Sequence, residues 1–213
     1  MYYLIDEVLK ACTANECHEG KKQYVAVLTP EEWQKEKEAF ELGIDMELDA
    51  MEVHTTKAEV NYDSITGSFA IPDRKNMAAD YKKFAFALDE KGVIFIDPGD
   101  NVLKLIRRIA ESKKWRFPSL ERFMFDFLEQ IVTSDLSFLE KYERELDCMD
   151  KDIDNDTDPD VDRLNDIRGE LRDLRIHYDH LIDMAQEFEE NENNFFKAEN
   201  LRFFRLFSNR VSR

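Results

Sequence analysis

Two runs of apolar residues, each spaced in alternating steps of three and four, constrain this chain more than any other feature. Leu139, Tyr142, Leu146, Met149 and Ile153 form the first; Leu164, Ile167, Leu171, Leu174, Tyr178, Leu181, Ala185 and Phe188 form the second. That spacing lays side chains along one face of a helix. Between the runs lies DNDTDPD, residues 154–160, whose Asp158 and Pro159 suit the cap and first turn of a new helix. Two amphipathic helices joined by so short a loop bury their stripes most simply against each other, which predicts an antiparallel helical hairpin.

The chain ends in NNFFKAENLRFFRLFSNRVSR, residues 193–213, with five phenylalanines and four arginines and neither Gly nor Pro to stop a helix. Read as one element, Val161 to Arg213 is a helix of 53 residues, roughly 80 Å long at the standard rise. A compact globule of this size is only about 45 Å across. The helix is therefore expected to project as a stalk, with Phe195, Phe196, Phe203, Phe204 and Phe207 covered by the sheet domain, by other copies of the chain, or by both. On this reading the natural helix continues beyond Arg213 and the sequence is a fragment.

The first half has another rhythm. QYVAVL at 23–28 reads as a strand, and Thr29, Pro30 and Glu32 form the cap, first-turn proline and capping-box glutamate of a helix to about Leu42, closed by Gly43. KAEVNY and SFAIP flank a turn near Ser64 to Gly67, and KKFAFAL and VIFI flank DEKG, with Gly92 available for tight-turn angles. Asp97 and Pro98 are the expected cap and first residue of a helix to about Lys113. This order predicts an α+β fold: a mixed, largely antiparallel sheet flanked by helices over residues 1–117, then the hairpin and stalk over 118–213, packed on the first part.

Charge narrows the partners. The chain carries 30 basic and 47 acidic residues, a formal net charge of -17, so it repels phosphate backbones, and nucleic acid is not expected as a partner. Residues 129–192 alone hold 22 acidic against 7 basic side chains, whereas 193–213 hold 1 against 5. Three cysteines, Cys12, Cys17 and Cys148, make no framework and suit a reducing compartment. No basic leader and no window of 18 uncharged apolar residues occurs, so the chain reads as soluble.

Few residues suggest chemistry. Asp152, Asp154, Asp156, Asp158 and Asp160 alternate as in calcium loops, but a twelve-residue loop counted from Asp152 or Asp154 puts Thr157 or Pro159 where glycine is required. A solvated loop that loosely attracts cations is the better reading. His177 and His180 lack the spacing of zinc proteases, and Cys12, Cys17 and His18 lack a fourth ligand. Phosphate-binding, dinucleotide-binding and nucleophile-elbow motifs are missing, so no enzymatic activity is expected.

FMFDFLEQIVTSDLSFLEKYERELDCMDKDI, the acidic linker, then LNDIRGELRDLRIHYDHLIDMAQEF and the aromatic end resemble the cytosolic part of the CorA family of divalent-cation channels. The resemblance covers about residues 90–213. The family's Gly-Met-Asn motif and both membrane helices are absent from the sequence. It implies a cytosolic ion-sensing and gating domain of a Mg²⁺ or related transporter in an inner or plasma membrane. In that family the full-length protein is a pentamer, and regulatory divalent cations lie between neighbouring domains. It also implies that the phenylalanines pack the stalk, that the arginines lie nearer the membrane, and that Asp73, in IPDRKN, is a regulatory metal ligand whose partner lies beyond Arg213. A soluble oligomeric scaffold that binds partner helices is the alternative; a metal-dependent hydrolase ranks below both. The transporter reading is staked on the last helix being a projecting lever.

Overall fold

The computed structural model describes residues 1–40, 55–155, 158 and 160–212. Seven strands form one sheet: β1 (Tyr2–Ile5), β2 (Leu9–Cys12), β3 (Tyr24–Leu28), β4 (Lys57–Val60), β5 (Ile65–Ile71), β6 (Lys82–Leu88) and β7 (Gly92–Ile96). Their order is β2-β1-β3-β7-β6-β5-β4, and every neighbouring pair is antiparallel except β3 and β7. The fold is thus α+β with a mixed, largely antiparallel sheet, as the sequence predicts. β1 and β2 are the strands the periodicity did not reveal, each being only four residues long.

The helices are α1 (Ala14–Glu19), α2 (Pro30–Glu36), α3 (Asn101–Ser112), α4 (Leu120–Val132), α5 (Asp135–Asp154), α6 (Val161–Glu190) and α7 (Arg202–Val211). α2 opens with the predicted capping box: the Thr29 hydroxyl accepts from the Glu32 amide, and the Glu32 carboxylate accepts from the Thr29 amide at 2.8 Å. A 3-10 turn follows at Lys37–Phe40; the expected helix end at Leu42 and stop at Gly43 lie outside the described residues.

Three local expectations are corrected. The β4–β5 turn is closed by the Asn61 amide on the Ser64 carbonyl at 2.8 Å, and Gly67 lies inside β5. A Cβ there would come within 2.2 Å of the Lys57 carbonyl, so Gly67 serves close strand packing. Gly92 has no positive φ either: it begins β7, where a Cβ would meet the Tyr24 carbonyl at 2.4 Å. Asp89 makes that turn, its carboxylate accepting from the Lys91 and Gly92 amides at 2.8 and 3.0 Å. Finally, α3 starts at Asn101 rather than Pro98, although Asp97 still serves its first turn by accepting from the Val102 amide at 2.8 Å.

The larger correction concerns the stalk. The helix does not run unbroken from Val161 to Arg213; α6 ends at Glu190, and Asn191 takes a left-handed conformation with φ 50°. Asn is the residue after Gly best suited to that region. The Asn191 side chain then holds the turn: its Nδ2 donates to the Phe196 carbonyl at 2.9 Å, and its Oδ1 accepts from the Phe196 amide at 3.0 Å. A second left-handed residue, Asn194 (φ 57°), continues the reversal. α7 consequently packs on α6 and α4 instead of projecting beyond them.

One aromatic core joins sheet and helices. Phe127 of α4 stacks on Phe95 at 4.6 Å between ring centroids and meets Phe69 and Phe84 edge-on, while Phe188 of α6 contacts Phe86, Phe196 and Phe204. Side chains from β1 to α7 therefore share a single cluster that spans both expected segments. The other sheet face buries Trp33 and Phe40 in a smaller one.

α5 and α6 do form the predicted antiparallel hairpin. Tyr142, Ile167 and Leu174 are buried between them, with Leu139, Leu146, Met149, Leu171 and Tyr178 partly so. Toward the tip the seam opens: Ile153 is 55% exposed and Leu164 41%. Arg163 closes this end by donating to Glu145 at 2.8 Å and Glu170 at 3.3 Å, its guanidinium over the Tyr142 ring.

The turn-back at Asn191 gives the first prediction. Asn191→Ala leaves the left-handed position to a residue without the polar side chain that makes Asn tolerant of it, and removes two buried hydrogen bonds; together these cost roughly 2 to 4 kcal/mol in urea unfolding. Asn191→Gly removes the strain and loses only the side-chain bonds, so it is expected to fall between wild type and the alanine variant.

Candidate functional site around Asp73

β5 delivers the chain at Ile71 into Pro72, Asp73, Arg74 and Lys75. Pro72 is buried and cannot extend the ladder, so the strand ends and the next three side chains diverge. Asp73 stays partly exposed, at 27% of its side chain, and its Oδ1 accepts from the Lys75 amide at 3.1 Å and from Lys82 Nζ at 3.3 Å. The Lys75 amide, then Lys82, hold its carboxyl below the ordinary range.

Arg74 turns inward. Its Nε and Nη2 donate to the two Asp135 carboxylate oxygens at 2.8 and 2.7 Å, and its Nη1 donates to the Pro72 carbonyl at 2.7 Å. Tyr178 of α6 donates to the same carboxylate at 2.9 Å. With side-chain exposures of 13% and 7%, this bidentate pair is screened little by solvent. It ties the loop after β5 to the first turn of α5 and the middle of α6. Burial, then Asp135, pushes the Tyr178 hydroxyl well above its usual pKa. Sequence reading missed this network because Arg74 and Asp135 lie 61 residues apart. Nothing local marks either of them.

Together these segments line a cleft of about 310 Å³ with α3 and the end of α4. Arg74, Lys75, Lys82, Lys104 and Arg108 face it, against Asp73 and Asp135 alone. A divalent cation needs several oxygen ligands and a net negative surround. One carboxylate already paired with an ammonium, among further cations, does not by itself fit such an ion. Among the described residues no group of three or more His, Cys, Asp or Glu side chains is placed to hold a metal.

The remaining candidates are dispersed. Asp152 and Asp154 lie on the last turn of α5, exposed, and Asp158 is exposed in the linker; Asp156 lies outside the described residues. Asp160 caps α6, accepting from the Arg163 amide at 2.9 Å. Cys17 is buried, which pushes its thiol up to about 12, and the His18 ring packs against Phe40 at 4.7 Å. Phe196, Phe204 and Phe207 are fully buried in the chain's own core, and Phe195 and Phe203 pack at its edge. Two of the last segment's arginines make surface ion pairs within the chain: Arg205 with Glu189 at 2.7 Å and Arg210 with Glu129 at 2.8 Å.

His177 is separate from His180 in character. It is 3% exposed, and neither ring nitrogen has a hydrogen-bond partner. Burial, followed by the Arg74 and His180 charges, lowers its pKa to about 3; the Ala70 carbonyl opposes the shift without making a well-formed hydrogen bond.

The profile of the CorA-like Mg²⁺ transporter proteins matches residues 28–213. The chain belongs to the CorA family. Solved structures share its fold. The full-length CmaX protein covers 99% of this chain with 73% of its own, at 13% identity and a TM-score of 0.65. The cytoplasmic domain of ZntB from Vibrio parahaemolyticus covers 89% with 79% of its own, at 13% identity and a TM-score of 0.61. The complete CorA magnesium transporter from Methanocaldococcus jannaschii covers 89% with 62% of its own, at 14% identity and a TM-score of 0.66. No curated protein sequence matches. Among the described residues of this CorA-family chain, no helix is long and apolar enough to cross a membrane.

Two predictions come from the cleft wall. Asp135→Ala leaves the Arg74 guanidinium buried without its partner and is expected to cost about 3 to 5 kcal/mol in denaturant unfolding. His177, with its folded pKa below the unfolded one, contributes stability that is fully present above about pH 6.5 and is lost as pH falls toward 3. His177→Leu removes that loss, so the stability difference between the two proteins should change by up to about 1.4 kcal/mol per pH unit in the leucine variant's favour between pH 6 and 4.

Proposed function

We propose that this chain is the cytosolic regulatory domain of a CorA-family divalent-cation transporter, sensing ions and biasing a membrane pore without performing chemistry. The observation that carries the reading is the family match across 28–213, a span that includes the β5 loop, the hairpin and α7 in one structural unit. A homo-oligomer, a pentamer in the full-length protein, is the assembly this reading requires, joined to a membrane segment supplied by the same protein. Mg²⁺ or another divalent cation is the cargo and the regulator.

Electrostatics supplies the device. With 22 acidic and 7 basic residues in 129–192, neighbouring copies repel wherever these surfaces approach, and divalent ions between them relieve that repulsion. Asp73 takes part only when oxygens from a neighbouring subunit join it, because Lys82 neutralises it within one protomer. The ion must therefore displace an ammonium, so the site responds to the approach of a second acidic surface as well as to ion concentration. The tip aspartates, Asp152, Asp154, Asp156, Asp158 and Asp160, add diffuse attraction for cations. Loss of ions lets the subunits separate and swing, and the Arg74–Asp135–Tyr178 tie carries that displacement from the sheet to the hairpin. Leu136, at 74% exposure, and Val161, at 57%, offer apolar surface on the hairpin for such neighbours.

Analytical ultracentrifugation and thermal melting at matched ionic strength test the reading. Millimolar Mg²⁺ should raise the melting temperature or the oligomer fraction, and Asp73→Asn should blunt the response more than Asp152→Asn with Asp154→Asn. Identical profiles with Mg²⁺ and with NaCl would contradict ion sensing.

A further inference from the structure

The cleft beside Asp73 holds more positive charge than the protein uses. Arg74 is committed to Asp135, and Lys82 stands 3.3 Å from Asp73. Among the described residues, Lys75, Lys104 and Arg108 make no ion pair, yet all three line the same concavity. Lys104 and Arg108 lie one turn apart on α3, exposed, while the apolar face of that helix is buried through Val102, Ile106 and Ile109.

The chain carries 30 basic against 47 acidic residues, so a hollow in which basic side chains outnumber carboxylates five to two runs against its overall charge. Gathering Lys75, Lys104 and Arg108 around one hollow adds mutual repulsion that Asp73, already paired with Lys82, offsets only in part. Asn101, Gln130 and Ser134 bring neutral side chains able to donate hydrogen bonds, and Ile71, Leu105 and Ile131 supply an apolar wall. Flexible ammonium groups, one guanidinium and neutral donors are a set suited to an oxygen-rich anion. The volume, about 310 Å³, is that of a small-ligand site rather than a macromolecular interface.

We propose that the cleft formed by the β5 loop, α3 and the α4–α5 bend binds a multiply charged oxyanion of the phosphate class, either free or as the phosphoryl tail of a small metabolite. Lys104 and Arg108 form one side of the anion site and Lys75 and Lys82 the other. The proposal does not depend on the ion-sensing reading, because it needs neither a divalent cation nor a second copy of the chain.

The test is isothermal titration of the 213-residue chain with pyrophosphate in metal-free buffer at fixed ionic strength, with a nucleoside triphosphate in a second arm. Saturable binding at one site is expected. Lys104→Glu with Arg108→Glu should weaken it by at least about tenfold, a charge-assisted effect. Lys114→Glu with Arg116→Glu makes the same change in net charge at a separate basic hollow lined by Phe117 and Arg202, and should leave affinity within about twofold. Circular dichroism keeps misfolded variants from counting as loss. Tighter binding of the triphosphate identifies a metabolite tail, and equal binding identifies free phosphate species; both support the site. Absence of saturable binding, or equal weakening in both double variants, overturns it. So does self-association abolished by Lys104→Glu with Arg108→Glu while pyrophosphate fails to bind, which would assign the cleft to acidic protein.

Discussion

The burial of one sheet face beneath phenylalanines from three helices is the constraint on which the molecule depends. Phe69, Phe84, Phe86 and Phe95 line that face, and α4, α6 and α7 close it with Phe123, Phe127, Phe188, Phe204 and Phe207, all but inaccessible to solvent. Each such ring is worth roughly 1.5 to 3 kcal/mol when removed from water. No single helix covers the sheet. The turn at Asn191 matters because it brings α7 back to complete the cover, and the Arg74–Asp135 pair matters because it fixes where α5 leaves it.

From that core the hairpin extends as an acidic arm whose seam is tight near the sheet and open at the tip. Tyr142 is 3% exposed, Ile153 55%. The cleft next to Asp73 lies at the root of this arm, where the β5 loop, α3 and the first turn of α5 meet. Its positive lining contrasts with the arm's negative surface, so charges of both signs converge on the junction between sheet and hairpin.

Much of the fold was legible because its signals are local. The three-and-four spacing identifies α5 and α6, Thr29 with Glu32 marks α2, and the apolar runs KKFAFAL and VIFI yield β6 and β7. The end of α6 carries neither Gly nor Pro; its local signal is the Asn-rich NENN at 191–194, where Asn191 and Asn194 both take positive φ. Phe196, Phe204 and Phe207 lie in the core shared with the sheet, on a helix that folds back rather than projecting. The last helix is thus no projecting lever, and membership of the CorA family rests on the match over residues 28–213. At the site, Asp73 was singled out by resemblance, but its ring of cations comes from segments brought together by the sheet and by α3. Tertiary placement of that kind leaves no periodic trace.

Native-state hydrogen exchange tests the central claim, that α7 belongs to the same cooperative unit as the sheet. The account predicts that the amides of Phe204 and Phe207 exchange only through global unfolding, with protection equal to that of Phe86 and Phe95. Exchange of α7 amides at rates near those of an unfolded chain, with the sheet still protected, would contradict it.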